Sequence, residues 1–297
     1  MMLKRTLLFP LLALGLLAGC GNSEAPKPAS GETGKTPAAA AAPGNSYLEK
    51  IKARNKLIVG VFTDKPPFGY VDASGRYVGF DTDLARRFAK DLLGDENKIE
   101  FVAVEPASRI PFLQSDKVDL IAANMTVTPE RAEVVDFTNP NLRVAVQLLV
   151  RDDSGVQKLD DLADQTVIVT AGTTADIWLT KNRPGWRLLK LERTSLSLQA
   201  LADGRGAAYA QDNIVLFSWA KQNPGYRVLA DKLGDEAPIA PAVRKGNAEL
   251  REWVNAELAR LGEEQFLLKL YDQYVRKELP EGTDPQAVIV EGGKWKG

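Results

Sequence analysis

Arg131 lies in a polar loop that follows a short apolar run, residues 118–123, and leads into a predicted helix. Thr128 and Pro129 open that helix well, because threonine caps helix N-termini and proline fits their first turn. The planar guanidinium of Arg131 suits bidentate binding of a carboxylate, and the backbone N–H near Thr126 would add a neutral donor. The alternative interpretation is a solvated helical arginine without a ligand.

Two further polar loops follow predicted strands. In one, Thr173 or Thr174 caps the next helix, whose N-terminus offers unpaired N–H groups to an anion. The alternative there is a capped helix with no ligand. In the other loop, the carboxylate of Asp212 would pair with an ammonium group, or would cap the helix that begins near Ile214.

A fourth loop, residues 64–70, carries Phe68 and Tyr70 and is stiffened by two prolines. It predicts an aromatic wall against a ligand, with Phe68 packed in the core as the alternative. Taken together, the loops offer donors for a carboxylate and an acid for an ammonium. That combination is complementary to the two charged ends of a free amino acid.

The composition excludes several classes of protein. The 297 residues include no histidine, which excludes Ser-His-Asp and Cys-His catalysis and histidine-ligated zinc. The net charge is −1 and no basic stripe with interleaved aromatic residues is present, so nucleic acid is not an expected partner. We therefore expect a binding protein rather than an enzyme, with no catalytic residue, metal ion or cofactor.

The N-terminal region predicts export and anchoring. Lys4 and Arg5 precede an apolar run that ends at Cys20, which is the order of an export signal. The small residues before Cys20 resemble a bacterial lipobox, so residues 1–20 are predicted to be a lipoprotein signal peptide with lipidation at Cys20. Residues 21–45 are poor in bulky apolar side chains and predict a disordered tether.

Strand and helix patterns alternate over residues 57–277, which predicts parallel α/β sheets. Two successive series of about 90 residues favour two lobes rather than one sheet. Ligands of open α/β sheets bind outside the carboxyl ends of the strands. The four polar loops should therefore line a cleft between the lobes.

Several stretches resemble the polar amino acid binding proteins of ABC transporters, solute-binding family 3. They include GVFTDKPPFGYVDASGRYVGFDTDLA, KVDLIAANMTVTPERAEVVDFTNP, AGTTADIW and DGRGAAYAQDN, and the resemblance spans about residues 50–277. It implies the type II periplasmic binding protein fold, with lobe 1 at 46–144 and 238–297 and lobe 2 at 145–237. It also implies a monomer in the cell envelope, anchored to the membrane, that passes a free amino acid to an ABC permease.

The resemblance implies roles for individual residues. Those matching Arg131, Thr126 and Thr173 hold the α-carboxylate, whereas the residue matching Asp212 and the carbonyl matching Asn124 hold the α-amino group. Two positions depart from the family. Asn141 replaces a common tyrosine, which puts the local hinge contact in doubt, and Gln211 stands where relatives often have histidine.

The ligand's side chain is less determined by the sequence. The chain most resembles the cysteine/cystine branch, through SRIPFLQSDKVDL and the C-terminal AVIVEGG. In aspartate and glutamate binders an arginine matching Arg109 reaches the distal carboxylate of the ligand. An acidic amino acid or its amide is therefore the second candidate ligand. An arginine tied to Asp119 is the structural alternative. Rivals from other classes are a prephenate or arogenate dehydratase, with a general acid such as Lys65, and a sensor or adhesin without transport.

Overall fold

Two five-stranded β-sheets flanked by helices organise residues 46–294, the part of the chain that the computed structural model describes. The predicted signal peptide, Cys20 and the tether lie outside these residues. The strands are β1 (Leu57–Val61), β2 (Asp64–Lys65), β3 (Gly69–Val71), β4 (Tyr77–Val78), β5 (Ile99–Ala103), β6 (Leu120–Ile121), β7 (Val135–Phe137), β8 (Leu142–Val144), β9 (Val146–Arg151), β10 (Thr166–Thr170), β11 (Arg187–Leu191), β12 (Ala208–Asp212), β13 (Tyr226–Val228), β14 (Ala237–Ile239) and β15 (Ala242–Arg244). The helices are α1 (Tyr47–Arg54), α2 (Phe80–Leu93), α3 (Arg109–Gln114), α4 (Pro129–Ala132), α5 (Thr174–Asn182), α6 (Thr194–Ala202), α7 (Asn213–Gln222), α8 (Ala248–Glu263) and α9 (Phe266–Leu270).

The first sheet has the strand order β5-β1-β6-β15-β7. Strand β1 pairs in parallel with β5 and β6, whereas β15 pairs antiparallel with β6 and β7. The second sheet repeats the plan with the order β11-β10-β12-β9-β13. Its β10 is parallel to β11 and β12, and β9 is antiparallel to β12 and β13. The predicted parallel α/β units are confirmed, but the antiparallel strands were not predicted.

The chain passes between the two sheets twice, through one pair of strands. Strand β8 leads into β9 of the second sheet, and β14 leads back toward β15 of the first. These two strands pair antiparallel, from Leu142 opposite Ile239 to Val144 opposite Ala237. The crossing is consistent with the predicted lobe boundaries, which stay a prediction. A segment near the C-terminus also joins this crossing, because Ile289 bridges to Leu142 and the N–H of Arg143 donates to the carbonyl of Val288.

Helix α2 shows how the sequence pattern builds the first core. Its Leu84 and Phe88, four residues apart, face the sheet and are wholly buried, while Leu92 is half-buried. The last helical segment is not one continuous α-helix. Helix α9 ends at Leu270, and a π-helical turn (Tyr271–Val275) and a 3-10 turn (Arg276–Glu278) follow it.

Between Ser46 and Lys294, no helix combines the length and apolar character needed to cross a bilayer.

Candidate functional site

The loops after β1, β6, β10 and β12 meet between the two sheets, and we call the space that they border the cleft. Both sheets belong to one compact unit. The carboxyl ends of strands from the two sheets face each other across this cleft, because Asn124 contacts Asp212 and Arg131 contacts Gly172. The sequence predicts this arrangement for an α/β ligand site.

Arg131 is a buried cation on the first-sheet side of the cleft. Thr128 caps helix α4 by accepting the N–H of Arg131 at 3.3 Å. The guanidinium donates to the carbonyl of Thr126 at 2.7 Å and, across the cleft, to that of Gly172 at 3.0 Å. Only 6% of Arg131 is exposed, and burial lowers the pKa of its side chain. Within residues 46–294 no carboxylate lies within ion-pair distance, so the buried charge of Arg131 has no acidic partner there.

Asp212 faces Asn124 across the cleft. The Nδ2 of Asn124 donates to Oδ2 of Asp212 at 2.6 Å. Asp212 precedes helix α7 at the N-cap position, but its side chain does not cap the helix, so that alternative is wrong. The Oδ1 atoms of Asp212 and Asn124 are both buried and have no hydrogen-bond partner. Two unpartnered oxygens, one of them on a carboxylate, suit an ammonium group.

Asn124 is held by Asp81, a residue that the sequence reasoning did not single out. Asp81 lies in the first turn of α2, and its Oδ2 accepts the N–H of Asn124 at 2.7 Å. This contact fixes Asn124 in a left-handed conformation, φ 42°, which asparagine tolerates better than most residues. Burial raises the pKa of Asp81 to about 7. The segment FDTDLA indicates only the start of a helix, so no sequence pattern predicts the contact between Asp81 and Asn124.

Arg109 is wholly enclosed and organises the loop around Asn124. Its guanidinium donates to the carbonyls of Pro106 at 3.1 Å, Ala123 at 3.0 Å and Asn124 at 3.2 Å. The alternative of a tie to Asp119 is wrong, because Asp119 instead pairs with Arg54. The carbonyl of Asn124, predicted to hold the α-amino group, thus already accepts from Arg109.

Phe68 does not form an aromatic wall, which corrects that prediction. It is fully buried within the hydrophobic cluster of the first sheet, together with Phe80 and Leu84. The ring beside the charged groups is Phe62, over which Lys65 Nζ lies at 4.6 Å and the Arg109 guanidinium at 5.5 Å. Both Phe62 and Phe68 follow β1 and are buried, and the sequence does not distinguish which ring lies beside the charged groups.

The loop after β10 is built largely as a helix cap. The Thr173 hydroxyl donates to the carbonyl of Thr170 at 2.7 Å and accepts the N–H of Asp176 at 3.3 Å. The Thr173 hydroxyl hydrogen therefore already has an acceptor within its own loop. Thr174, the first residue of α5, lines a groove of about 260 Å³ that also includes Thr126 and Trp178.

Gln211 serves the interior of the second sheet. Its amide donates to the Tyr209 hydroxyl at 2.8 Å and accepts the N–H of Asp212 at 3.0 Å. Asn141 keeps the hinge contacts through its backbone, donating to the Ile239 carbonyl and accepting from Val290.

The cleft is closed, because polar groups join its two sides at the rim. Arg193 donates to the Thr63 hydroxyl at 2.9 Å and lies 3.3 Å from Glu105. Asp64 accepts the N–H of Ser195, near the start of α6, at 2.8 Å. The residues inside are screened from water: Asn124, Thr126 and Asp212 are 2–4% exposed. Among the described residues there is no cluster of three or more metal-ligating side chains.

The sequence profile of the family described as bacterial extracellular solute-binding proteins, family 3, matches residues 57–277. The chain belongs to this family.

Solved structures similar to this solute-binding protein include two cysteine-binding proteins. One is the cysteine-binding protein of Campylobacter jejuni, 44% identical with a TM-score of 0.81, covering 83% of this chain and 99% of that one. The other is the L-cysteine solute receptor of Neisseria gonorrhoeae, 45% identical with a TM-score of 0.80, covering 82% and 99%. The type II periplasmic binding protein fold is thereby confirmed.

Curated relatives of this solute-binding protein include the ABC transporter glutamine-binding protein GlnH of Bacillus subtilis. It is 33% identical over 276 residues, which are 92% of this chain and 97% of that protein. The protein is therefore an extracytoplasmic amino acid binding component of an ABC importer. An ancestral amino acid-binding protein described as a precursor of cyclohexadienyl dehydratase is also similar, at 33% identity and a TM-score of 0.71.

Proposed function

We propose that this protein binds free L-cysteine in the cleft and delivers it to an ABC permease. The observation that carries the proposal is the 44–45% identity to two cysteine-binding proteins over more than four fifths of the chain. The glutamine-binding relatives share 33% and 39%.

The geometry supports a frame for the two charged ends of the ligand. Arg131, whose guanidinium has no acidic partner among the described residues, is proposed to hold the α-carboxylate, with Thr126 and the Thr173–Thr174 helix start beside it. The unpartnered oxygens of Asp212 and Asn124 are proposed to accept the α-ammonium. Arg109 is proposed to act from behind, by fixing the loop that presents Asn124.

Binding is proposed to close the two lobes around the ligand. The rim contacts of Arg193 and Asp64 form only in the closed state, and only a ligand that prefers that state shifts the equilibrium toward it. We expect a dissociation constant in the micromolar range, about −8 kcal/mol. The protein is proposed to bind its ligand without transforming it, so L-cysteine should be recovered unchanged.

A ligand screen tests this proposal. The chain is heated with each amino acid, and L-cysteine, kept reduced with a phosphine, should raise the melting temperature most because the ligand binds only the folded state. Cystine without reductant distinguishes the disulfide from the thiol. A larger shift with glutamine, the second candidate favoured by the curated relatives, would overturn the cysteine proposal.

Anchoring at Cys20 is proposed separately, from the residues that precede it. Cells expressing the chain with a labelled fatty acid should yield labelled protein, and the Cys20→Ser variant should carry no label. Label on both proteins, or on neither, would remove this part of the proposal.

A further inference from the structure

Lys65 is a buried lysine whose side-chain nitrogen has no acceptor among the described residues. It is 2% exposed, and among residues 46–294 its Nζ has no hydrogen-bond or ion-pair partner; its neighbour is the Phe62 ring at 4.6 Å. Burying a charged amine is unfavourable unless an opposite charge or hydrogen-bond acceptors compensate it. The proposed α-carboxylate and α-ammonium sites make no use of this group. A bound ligand could therefore supply the hydrogen-bond acceptor or negative charge that Lys65 lacks.

The buried charges around Lys65 are unbalanced. The enclosed cations are Lys65, Arg109 and Arg131, and the enclosed carboxylates are Asp81 and Asp212, each 6% exposed or less. The charged groups that act on Lys65 itself are Asp212, Arg109, Asp64 and Asp81.

Asp64 belongs to the rim rather than to this enclosed set. With Glu105 it faces Arg193 across the cleft, and the side chain of Arg193 is 41% exposed. The rim thus has two carboxylates for one cation, and its side chains are 11–41% exposed, where water screens charge more than it does in the interior. The enclosed set alone has three cations for two carboxylates, and none of these carboxylates pairs directly with Lys65.

The two charged ends of a zwitterion are held elsewhere in the proposed site, whereas a ligand side chain with a negative charge would supply the acceptor that Lys65 lacks. Cysteine gains such a charge when its thiol ionises, which serine does not do at moderate pH. We propose that the cleft binds cysteine as its thiolate, with the Lys65 ammonium as the counter-ion. This inference rests on the proposed function. The thiol proton leaves to the solvent, so one proton is released for each cysteine bound.

Binding the thiolate rather than the thiol requires only a modest shift in the ionisation of cysteine. A free cysteine thiol has a pKa near 8.5, so at pH 7 its thiolate is about 30-fold less populated than the thiol. An ammonium in a water-poor site stabilises an anion more than the same charge does in water. Burial also lowers the pKa of Lys65 to about 8, and an adjacent thiolate would favour its charged form.

Proton release on binding tests the proposal. The full-length Cys20→Ser chain leaves the ligand as the only thiol, since the sequence has one cysteine. Titration calorimetry with L-cysteine near pH 7, in two buffers of different ionisation enthalpy, should give about one proton released per ligand. The release should fall and turn into net uptake as the pH rises to about 9, because the free ligand is then mostly ionised and Lys65, with a pKa of about 8, must gain a proton to pair with it. The ultraviolet absorbance of a thiolate should appear on binding.

The released proton could come from the ligand's thiol, as proposed, or from Lys65, and a substitution at Lys65 distinguishes the two. Lys65→Arg keeps a permanent charge, so proton release and thiolate absorbance should persist in it. Release that disappears in Lys65→Arg, or that also accompanies binding of L-serine to the unaltered cleft, would overturn the proposal. Cysteine binding with neither proton release nor thiolate absorbance would overturn it and leave the proposed function intact. No binding of cysteine at all would defeat both.

Lys65→Met provides a second readout. It should weaken cysteine binding by at least about tenfold while changing serine binding by less than about threefold, so the preference between the two ligands falls. Lys117→Met is the matched control, because exposed Lys117 lies 4.5 Å from the Phe112 ring, outside the cleft. Equal weakening of cysteine and serine binding in Lys65→Met would contradict a role for Lys65 as the thiolate's counter-ion.

Discussion

Asn124 and Asp212 meet across the closed cleft, with Asn124 Nδ2 donating to Asp212 Oδ2 at 2.6 Å. One residue follows a strand of the first sheet and the other ends a strand of the second. Each keeps its Oδ1 buried without a partner. The pair therefore joins the two lobes and at the same time presents two free acceptors to whatever lies between them.

Replacement of Asp212 by asparagine removes a charge while keeping the shape of the side chain. We expect Asp212→Asn to weaken amino acid binding by more than about 100-fold, because an ammonium would then be buried without its anion. Calorimetry measures this loss. Asp203→Asn, an exposed aspartate of the same lobe, is the control and should bind normally. Normal affinity in Asp212→Asn would remove Asp212 from the ammonium site.

Removal of the Arg131 guanidinium should abolish detectable binding. Arg131→Ala leaves a buried ligand carboxylate without its main donor, which costs about 3–5 kcal/mol. Arg131→Lys should recover only part of the affinity, since an ammonium lacks the planar fork.

The control for Arg131 is Arg76→Ala, which removes an exposed arginine paired with Asp72 at 2.9 Å. Melting temperatures should show that both variants fold. Full affinity in Arg131→Ala would place the carboxylate elsewhere.

Gly172 sets how closely the lobes approach. It has φ 78°, and a Cβ there would lie 2.9 Å from the Ala107 Cα on the opposite side. Gly172→Ala should therefore prevent full closure and weaken ligand binding by about tenfold or more.

Gly204→Ala separates that clash from backbone strain. Gly204 has φ 70° but nothing within 4 Å of an added Cβ. Both variants should lose similar stability, measured by thermal unfolding, and only Gly172→Ala should lose affinity. Equal affinities would show that the Gly172–Ala107 approach is unimportant for closure.

The lowered pKa of Glu264 accounts for part of the expected pH dependence of the folding stability. Its hydrogen bond with Arg87, and then that with Arg260, lower its pKa from 4.5 to about 2. Because the folded-state pKa is depressed, the stabilisation is present above about pH 4.5 and is lost as the pH falls toward 2.

The melting temperature of Glu264→Gln should accordingly lie below that of the unaltered chain near pH 6, with the difference shrinking between pH 4.5 and 2. The control Glu249→Gln, at an exposed position in the first turn of α8, should show no such convergence. A difference that stays constant over this range would contradict the role of the Arg87 and Arg260 pairs.

Local sequence patterns predicted the parts of the fold that depend on neighbouring residues. Thr128 caps its helix as predicted, and Thr173, one of the two caps predicted for the next helix, caps α5 (Thr174–Asn182). The antiparallel strands β9 and β13 were missed because their pairing joins residues far apart in the chain, and a continuous apolar run gives no direction.

The site was predictable only in part, for a similar reason. Arg131 and Asp212 stand out as charged residues at strand ends, and the structure brings both to the cleft. Asp81 was not recognised, and Lys65 was considered only as the general acid of a rival dehydratase, because the significance of both comes from burial, which long-range packing creates. Phe62 and Phe68 are both buried in hydrophobic clusters, and only the turn between them decides which ring lies beside the charged groups.

The three-stranded crossing has a consequence for how the ligand leaves. Strand β8 is hydrogen bonded on one edge to β14 and on the other to the segment around Ile289. A linker flanked on both edges resists bending in the plane of its neighbours and yields mainly by twisting. We therefore expect the protein to open along one restricted arc, so that the mouth widens at the Arg193 side while the residues nearest Val144 hardly move.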